Sequence, residues 1–402
     1  MRKLLYALLA IVAIGAIVFF GYLPGYTERN MNQIDGKPLI EVSEEAKALH
    51  ATLTIVDLHS DTLLWKRDIL DRADRGHMDL PRLQEGNVAL QVLSSVTKTP
   101  KGQNNESNSG DTDNITALVI GQMQPPRTWN SLLERSLYHA QKMDKAVAGS
   151  DGSFLGVASE ADLDDLLLKR ESSAKPIGLL FSAEGLQSLE GDIANLDNLY
   201  DAGMRMAGMT HFFDNEVAGS MHGIEKGGLT DLGRAVVRRM EEMGMIVDIA
   251  HCSHECVSES IAMARRPVVS SHGGVKGTCD VNRNLNDDEI RGVARTGGVI
   301  GVGYWESAIC DTSPRAAAKA MKHIRDLVGI EHVALGSDYD GAVTVRFDTS
   351  ELTQVTQALM DEGFTKDEIR AVMGENALRV ISEGLIPLAD LPTEATSEDA
   401  AQ

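Results

Sequence analysis

Two metal-ligand side chains, His59 and Asp61, close the apolar run Ile55-Val56-Asp57-Leu58. Alternate residues of a strand project to one face, so a single cation could meet both. Four later segments repeat the arrangement: Glu184 follows the run 177–182, His211 follows 204–209, His251 follows 245–249, and His272 follows 267–270. Zinc takes imidazole and carboxylate ligands, commonly four, and keeps a solvent position open where the site is catalytic. His59, Asp61, His251 and His272 supply four such groups, and Glu184 is a fifth that can bridge two ions. Bridged ions ~3.5–4 Å apart share a water and lower its pKa towards ~7, so hydroxide exists at neutral pH. Any one of these residues alone reads more simply as a satisfied core polar group or a helix cap. Five at equivalent strand ends point to a metallohydrolase. The remaining histidines, His50, His77, His139, His222, His254, His323 and His332, lack that placement and read as structural or exposed.

Such ligands need a scaffold that gathers strand ends. Apolar strand-like runs recur at 54–61, 88–96, 177–184, 204–211, 245–251, 267–272, 298–305 and 332–338. Between them lie helix patterns at 192–202, 230–243, 287–296 and 314–328, with Thr230 and Ser313 as caps and Gly203, Gly244, Gly297 and Gly329 as stops. Alternating strands and helices imply a parallel sheet. Eight units close most simply into an α/β fold of the (β/α)8 TIM-barrel type, whose reactive groups sit at the C-terminal strand ends. An open doubly wound sheet would lack its opening Gly-x-Gly-x-x-Gly fingerprint and would not explain ligands on so many strands. One segment, 97–130, is long, polar and rich in Asn, Ser and Gly; it belongs on the catalytic rim as either a functional or a disordered loop.

The bulk properties narrow the partners. A formal charge of -21 leaves no concentrated Lys/Arg surface for nucleic acid, and 43% hydrophobic with 24% charged residues is ordinary for a folded domain. Arg2 and Lys3 precede an almost unbroken apolar run, 4–23, close to the ~20 residues that cross a bilayer. The charges place the start inside, and Gly21-Tyr22-Leu23-Pro24-Gly25 is a poor cleavage site, so an uncleaved anchor is expected in preference to a removed signal peptide. The catalytic part would then be exported, to the periplasmic or extracellular side. The expected organisation is an anchor at 1–25, a polar tether and short helix at 26–53, a barrel at 54–390 and a disordered acidic tail at 391–402. Cys252 and Cys256 read as buried small hydrophobes. The oligomeric state stays open, a homodimer included.

From 56 to 381 the chain resembles the membrane (renal-type) dipeptidases, peptidase family M19, within the metal-dependent hydrolase barrels. The motifs that carry the likeness are Asp57-Leu58-His59-Ser60-Asp61-Thr62, Ala183-Glu184-Gly185, Met209-Thr210-His211, Gly228-Leu229-Thr230 with Gly233, Val247-Asp248-Ile249-Ala250-His251, Ser271-His272, Arg283-Asn284 and Gly336-Ser337-Asp338-Tyr339-Asp340-Gly341, closed by Gly374-Glu375-Asn376-Ala377-Leu378-Arg379. Singly each is weak; the ordered set is specific. The resemblance implies a two-zinc dipeptidase in which His59, Asp61 and Glu184 hold one ion and Glu184, His251 and His272 the other. It further implies that His211 stabilises the oxyanion, that Arg283 clamps the substrate's free C-terminal carboxylate, and that Asp338 moves the proton from attacking water to leaving amine. Spacing alone does not separate Asp338 from Asp340; Asp338 is chosen because it follows the run 333–335 most directly. Cys279 and Cys310 resemble positions that pair in vertebrate members, and an exported compartment permits the bond.

The expected activity is therefore hydrolysis of dipeptides with a free C-terminal carboxylate, including those with a D-residue at that end, by a hydroxide held between two ions. Other chemistries share such barrels, among them lactonase, phosphotriesterase and deaminase reactions. Those relatives typically begin with His-x-His and often carry a bridging lysine, where this chain has His59-Ser60-Asp61 and Glu184. A non-catalytic barrel is the remaining alternative, and the full ligand set argues against it.

Overall fold

Each of the eight apolar runs forms a strand: β1 (Ile55–Asp57), β2 (Val88–Ser95), β3 (Ile177–Ala183), β4 (Met204–Gly208), β5 (Ile246–Asp248), β6 (Val269–Ser270), β7 (Val299–Val302) and β8 (Val333–Leu335). The computed structural model describes residues 1–172 and 175–390. All neighbours are parallel, in the order β2-β1-β8-β7-β6-β5-β4-β3, and β2 pairs with β3 from Leu90↔Gly178 to Ser95↔Ala183, which closes the barrel. Closure removes the open edges of the eight-strand barrel itself. Each strand gives a residue to one interior cluster: Val56, Leu90, Leu180, Met206, Ile246, Val269, Val299 and Ala334. Val380 and Ile381 of the helix Asn376–Gly384 join it. A Cβ at Gly384 would stand 2.3 Å from the Ile246 side chain, so glycine is what lets this helix approach β5.

The helices begin and end as their caps require. Thr230 accepts a hydrogen bond from Gly233 N ahead of Asp231–Met243, and Gly244 turns the chain left-handed at φ 75° after it. Ser313 caps Pro314–Val328, and Asn286 with Glu289 forms a reciprocal capping box on Asp287–Arg295. The strand Phe154–Gly156, not foreseen, pairs with the first residues of β3 on the edge whose later residues pair with β4.

One segment differs from expectation, and another takes one of two forms left open. The N-terminal helix does not stop at the apolar run but continues to Met31, and Gln33–Ile34 then pairs with Thr344–Val345. Residues 26–37 are therefore docked on the barrel instead of forming a polar tether. Glu28, only 1% exposed, pairs with Arg67 and Arg75 at 2.7 Å each. The segment 97–130 is likewise ordered, containing the helix Ile115–Gly121 and folding around Arg135. This buried guanidinium donates to the carbonyls of Thr97, Thr128 and Trp129, to Thr116 Oγ1 and to the Asp113 carboxylate, all at 2.7–2.9 Å. A charge can be buried when every donor is met in this way.

Cys279 and Cys310 are joined in a disulfide. Cys252 and Cys256, fully buried as expected, lie side by side with their Cα atoms 5.4 Å apart. The acidic tail expected at 391–402 lies outside the described residues.

Candidate metal centre

The chain leaves six of the eight barrel strands, β1, β3, β4, β5, β6 and β8, at their C-terminal ends and delivers a candidate ligand within a few residues. Glu184 follows β3 directly, His272 lies two residues past β6, and His251 and Asp338 each lie three past β5 and β8. Neither His59 nor Asp61 sits in the β1 ladder itself; both follow it, pinned by the Ser60–Tyr339 bridge and by Asp61 N donating to Tyr339 O at 2.9 Å. His59 and Asp61 thus stand side by side through a clamp from the loop after β8 and not through strand register.

Glu184 is the centre of the cluster. Its Oε1 lies 2.8 Å from His251 Nε2, 3.1 Å from His272 Nε2 and 3.7 Å from His59 Nε2, and its Oε2 lies 3.2 Å from His211 Nε2. His59 Nε2 is 3.4 Å from Asp61 Oδ1 and 4.0 Å from Asp338 Oδ1. Three overlapping triads have ligand atoms within 4.8 Å of one another: His59, Glu184 and His272; Glu184, His211 and His251; and His59, Asp61 and Asp338. Arg283 Nη2 donates to His272 O at 2.8 Å and stands 3.4 Å from His251 Nε2. All eight residues singled out from the sequence therefore meet in one place, every one of them buried. Asp61, Glu184, His211, His251, Arg283 and Asp338 line a cavity of about 730 Å³, within the range of small-molecule sites.

Two aspartates hold the floor from below, and their role was not read from the sequence. Asp248 accepts from Ser271 N at 2.9 Å and from Ser271 Oγ at 2.5 Å, and Ser271 Oγ meets His272 Nδ1 at 2.9 Å. Asp57 accepts from Ser337 N at 2.8 Å and Ser337 Oγ at 2.5 Å and so ties β1 to β8. The signal was present: both Val56-Asp57-Leu58-His59 and Val247-Asp248-Ile249-Ala250-His251 place an aspartate just ahead of a candidate ligand. Carboxylates behind a ligand orient it and set its tautomer.

Asp338 and Asp340, which spacing left equivalent, separate here. Asp340 is consumed by the scaffold: it accepts from Thr62 Oγ1 at 2.6 Å and His77 N at 2.7 Å, and it pairs with Arg67. Asp338 lines the cavity. His251 and Asp338 have φ of 64° and 59°, a left-handed conformation rare without glycine, and such strain concentrates at functional sites. Of the histidines set aside, His254 pairs with Glu289 on the outside at 2.5 Å. His222 stays structural through Asn105 O at 2.8 Å, yet its ring stacks on Phe212 and lies 5.2 Å from that of His251.

The electrostatics divide the floor. Burial opposes charge on His59, but the carboxylates of Asp61, Glu184 and Asp338 raise it to about 10. Burial, with the Asp61 charge adding to it, pushes Glu184 and Asp338 well above the usual carboxylate range. Burial also holds His211, His251 and His272 well below an ordinary imidazole, and the Arg283 charge works in the same direction. Neutral imidazole is the form that binds metal. Both ring nitrogens of His59, together with Asp61 Oδ1 and Glu184 Oε2, are buried without a well-formed hydrogen bond. Orphaned polar atoms cost ~1–3 kcal/mol each. Nitrogen and oxygen donors left open around one carboxylate fit divalent cations.

Comparisons with known proteins agree with this geometry. A family model described as membrane dipeptidase (peptidase family M19) matches residues 43–385. The dipeptidase aclJ of Aspergillus oryzae is 28% identical over 350 residues, covering 82% of this chain and 78% of that protein. An uncharacterized dipeptidase of Schizosaccharomyces pombe is 28% identical over 357 residues, covering 84% and 82%. Among solved structures, the probable dipeptidase PvdM from Pseudomonas aeruginosa superposes with a TM-score of 0.72 at 20% identity, over 85% of this chain and 98% of that one. A metallo peptidase from Rhodobacter sphaeroides, liganded with a phosphinate mimic of the dipeptide L-Ala-D-Ala, gives 0.68 at 20% identity, over 83% and 99%. These structural likenesses show the barrel fold.

Proposed function

This chain belongs to the membrane dipeptidase family, peptidase family M19, and is a metallo-dipeptidase; from that premise we propose that it hydrolyses dipeptides with a free C-terminal carboxylate, C-terminal D-residues included, with two zinc ions. The observation that carries the reading is Glu184, which stands within 3.7 Å of four imidazoles drawn from four different strand ends. His59, Asp61 and Glu184 would hold one ion, and Glu184, His251 and His272 the other. Bound there, divalent ions supply an activated water and polarise the peptide carbonyl.

The chain's own groups do the rest. His211, kept neutral by burial, donates a hydrogen bond to the oxygen that gains charge as the carbonyl is attacked. Arg283 offers a planar guanidinium at the cavity wall, where a carboxylate pairs with it through two parallel bonds. Asp338, at the cavity surface with its Oδ1 4.0 Å from His59 Nε2, accepts a proton from the water and passes it to the departing amine. Asp57 and Asp248 keep these groups in register through Ser337 and Ser271. The likeness to the Rhodobacter enzyme that holds an L-Ala-D-Ala mimic supports a D-residue at the C-terminal position.

The N-terminal helix Arg2–Met31 is long and apolar enough to be a membrane anchor or a signal sequence. In this proposal it is an uncleaved anchor, and the barrel lies on the exported side, as Arg2 and Lys3 before the span suggest. The test is to measure zinc per chain together with hydrolysis of an L,L and an L,D dipeptide, and to repeat both with Arg283→Ala. Two zinc ions per chain and turnover of both dipeptides are expected. Arg283→Ala should raise KM for carboxylate-bearing substrates far more than for a C-terminally amidated dipeptide. Equal effects on the two would remove the clamp assignment, and a zinc-loaded wild type inert towards dipeptides would end the reading.

A further inference from the structure

The helix that begins as the apolar span ends inside the catalytic machinery. Thr27 and Met31, in its last turns, line the same cavity as Asp61, Glu184, Arg283 and Asp338. Their position is set by contacts on both sides. Upstream, the span leans on the helix Ile115–Gly121: a Cβ on Gly121 would meet Phe19 O at 3.4 Å and Pro24 Cγ at 3.5 Å. Lys66 Nζ also reaches Phe20 O at 3.5 Å. Between Thr27 and Met31, Glu28 is clasped by Arg67 and Arg75, and Arg67 continues to Asp340 in the loop that carries Asp338. Downstream, Asn32 Oδ1 accepts from Ala342 N at 2.9 Å, and Gln33–Ile34 pairs with Thr344–Val345. Ala342 and Thr344 line the cavity as well.

Above the floor the cavity changes character. Met31, Leu64, Trp65, Val96, Ile115 and Leu118 all line it, and the last five belong to one apolar cluster apart from the main core. Met31 is 44% exposed, an apolar side chain left at the mouth with space before it. A dipeptide placed with its carboxylate at Arg283 and its peptide bond over Glu184 must send a side chain away from the polar floor, and this wall is the apolar surface on offer.

We propose that the end of the anchor helix is a specificity wall, in which Met31 and Thr27 receive the apolar side chain of the dipeptide substrate. The inference rests on the dipeptidase reading of the cavity. It makes the N-terminal helix part of the enzyme's recognition surface as well as its attachment, and it assigns bulky apolar dipeptides as the preferred substrate class.

The experiment uses the full chain in detergent, loaded with zinc, and compares Gly-Gly with Leu-Gly, Gly-Leu, Phe-Gly and Gly-Phe. The variants are Met31→Ala, Met31→Glu and Thr27→Val, with Leu168→Ala as control; Leu168 is 67% exposed on an outer helix away from the cavity. Losing methylenes from an apolar subsite lowers kcat/KM by ~10–200-fold when the subsite is closed. For the partly open Met31 site we expect the preference for Leu- and Phe-bearing dipeptides over Gly-Gly to fall about 3- to 10-fold in Met31→Ala, mainly through KM. Met31→Glu should lower it further, and Leu168→Ala should leave it at the wild-type value. The thermal midpoint of Met31→Ala should stay at the wild-type value, which a merely structural role in docking the helix would not allow. Wild-type preference across the panel in both Met31 variants would overturn the wall while leaving the dipeptidase reading intact. A wild type that cleaves none of the dipeptides would defeat that reading, and the wall with it.

Discussion

The floor of the cavity and its walls are built in opposite ways. On the floor, each ligand-type residue is fixed within a few residues of the strand that carries it, and the barrel brings the strand ends together. Much of the wall comes from segments that run on far beyond a strand or precede the barrel, 97–130 and 27–31, and each is secured by a buried guanidinium from elsewhere, Arg135 or Arg67. Local anchoring gives the floor its geometry through backbone closure. Remote anchoring makes the walls depend on paired charges, which are strongly destabilising when one partner is lost. Chemistry and specificity should therefore break separately.

The largest effect is expected on the floor. Glu184→Gln removes the carboxylate shared by two of the ligand triads, and it should lower kcat by about 10³-fold or more, the scale of losing a group that stabilises the transition state. Metal analysis should show a parallel loss of bound ions. Full metal content with normal turnover would mean that the centre does not turn on Glu184.

Next comes a wall. Arg135→Ala leaves the Asp113 carboxylate and three backbone carbonyls without their donor and should cost about 3–5 kcal/mol in denaturant unfolding. The metals of chains that remain folded should be unaffected, while KM rises because Ile115 and Leu118 lose their support. A loss of metal as large as the loss of substrate affinity would show that floor and walls are not separable.

A milder change reaches the floor from beneath. Asp248→Asn keeps the size of the side chain but weakens the support of Ser271 and His272, and it should reduce metal affinity by about 10–100-fold. Titration of the metal-free protein with zinc reads this directly. Unchanged affinity would reduce Asp248 to a packing residue.

The smallest effect lies at the border between the two regions, at His222. Burial first, and then the Arg283 charge, depresses this imidazole to about 3. In the unfolded chain it titrates near ~6.5, so between these values the unfolded state binds the extra proton. The stability contribution of neutral His222 is thus complete above ~6.5 and is lost as pH falls towards 3. At about pH 5 the loss is about 2 kcal/mol at most for this one group. Thermal melts of chelator-treated protein at pH 7 and pH 5 should show the fall, and His222→Asn should show a smaller one. The same fall in both proteins would assign the acid sensitivity to the floor.

Legibility follows the same division. The barrel could be read because eight apolar runs recur with helix patterns between them, and each candidate ligand announced itself by ending a run; even Asp57 and Asp248 were visible as aspartates before a histidine, although their partners were not. Glu28 offered no such cue. It stands 39 residues from Arg67, and Arg67 stands 273 from Asp340, so no local pattern links the three. The polar composition of 97–130 gave no sign that Arg135 organises it, because an arginine is read as surface until its partners are known.

By itself the amino-acid sequence indicated the eight barrel strands, their parallel direction and the candidate ligands that meet on the floor, since period, capping and ligand type are properties of short stretches of chain. Only the tertiary structure decided which aspartate of the Asp338-Tyr339-Asp340 loop faces the cavity, that the apolar helix runs on to line that cavity, and which buried charges hold the walls in place. Those outcomes depend on desolvation and pairing between residues tens to hundreds of positions apart, energies that come into being once the chain has closed on itself.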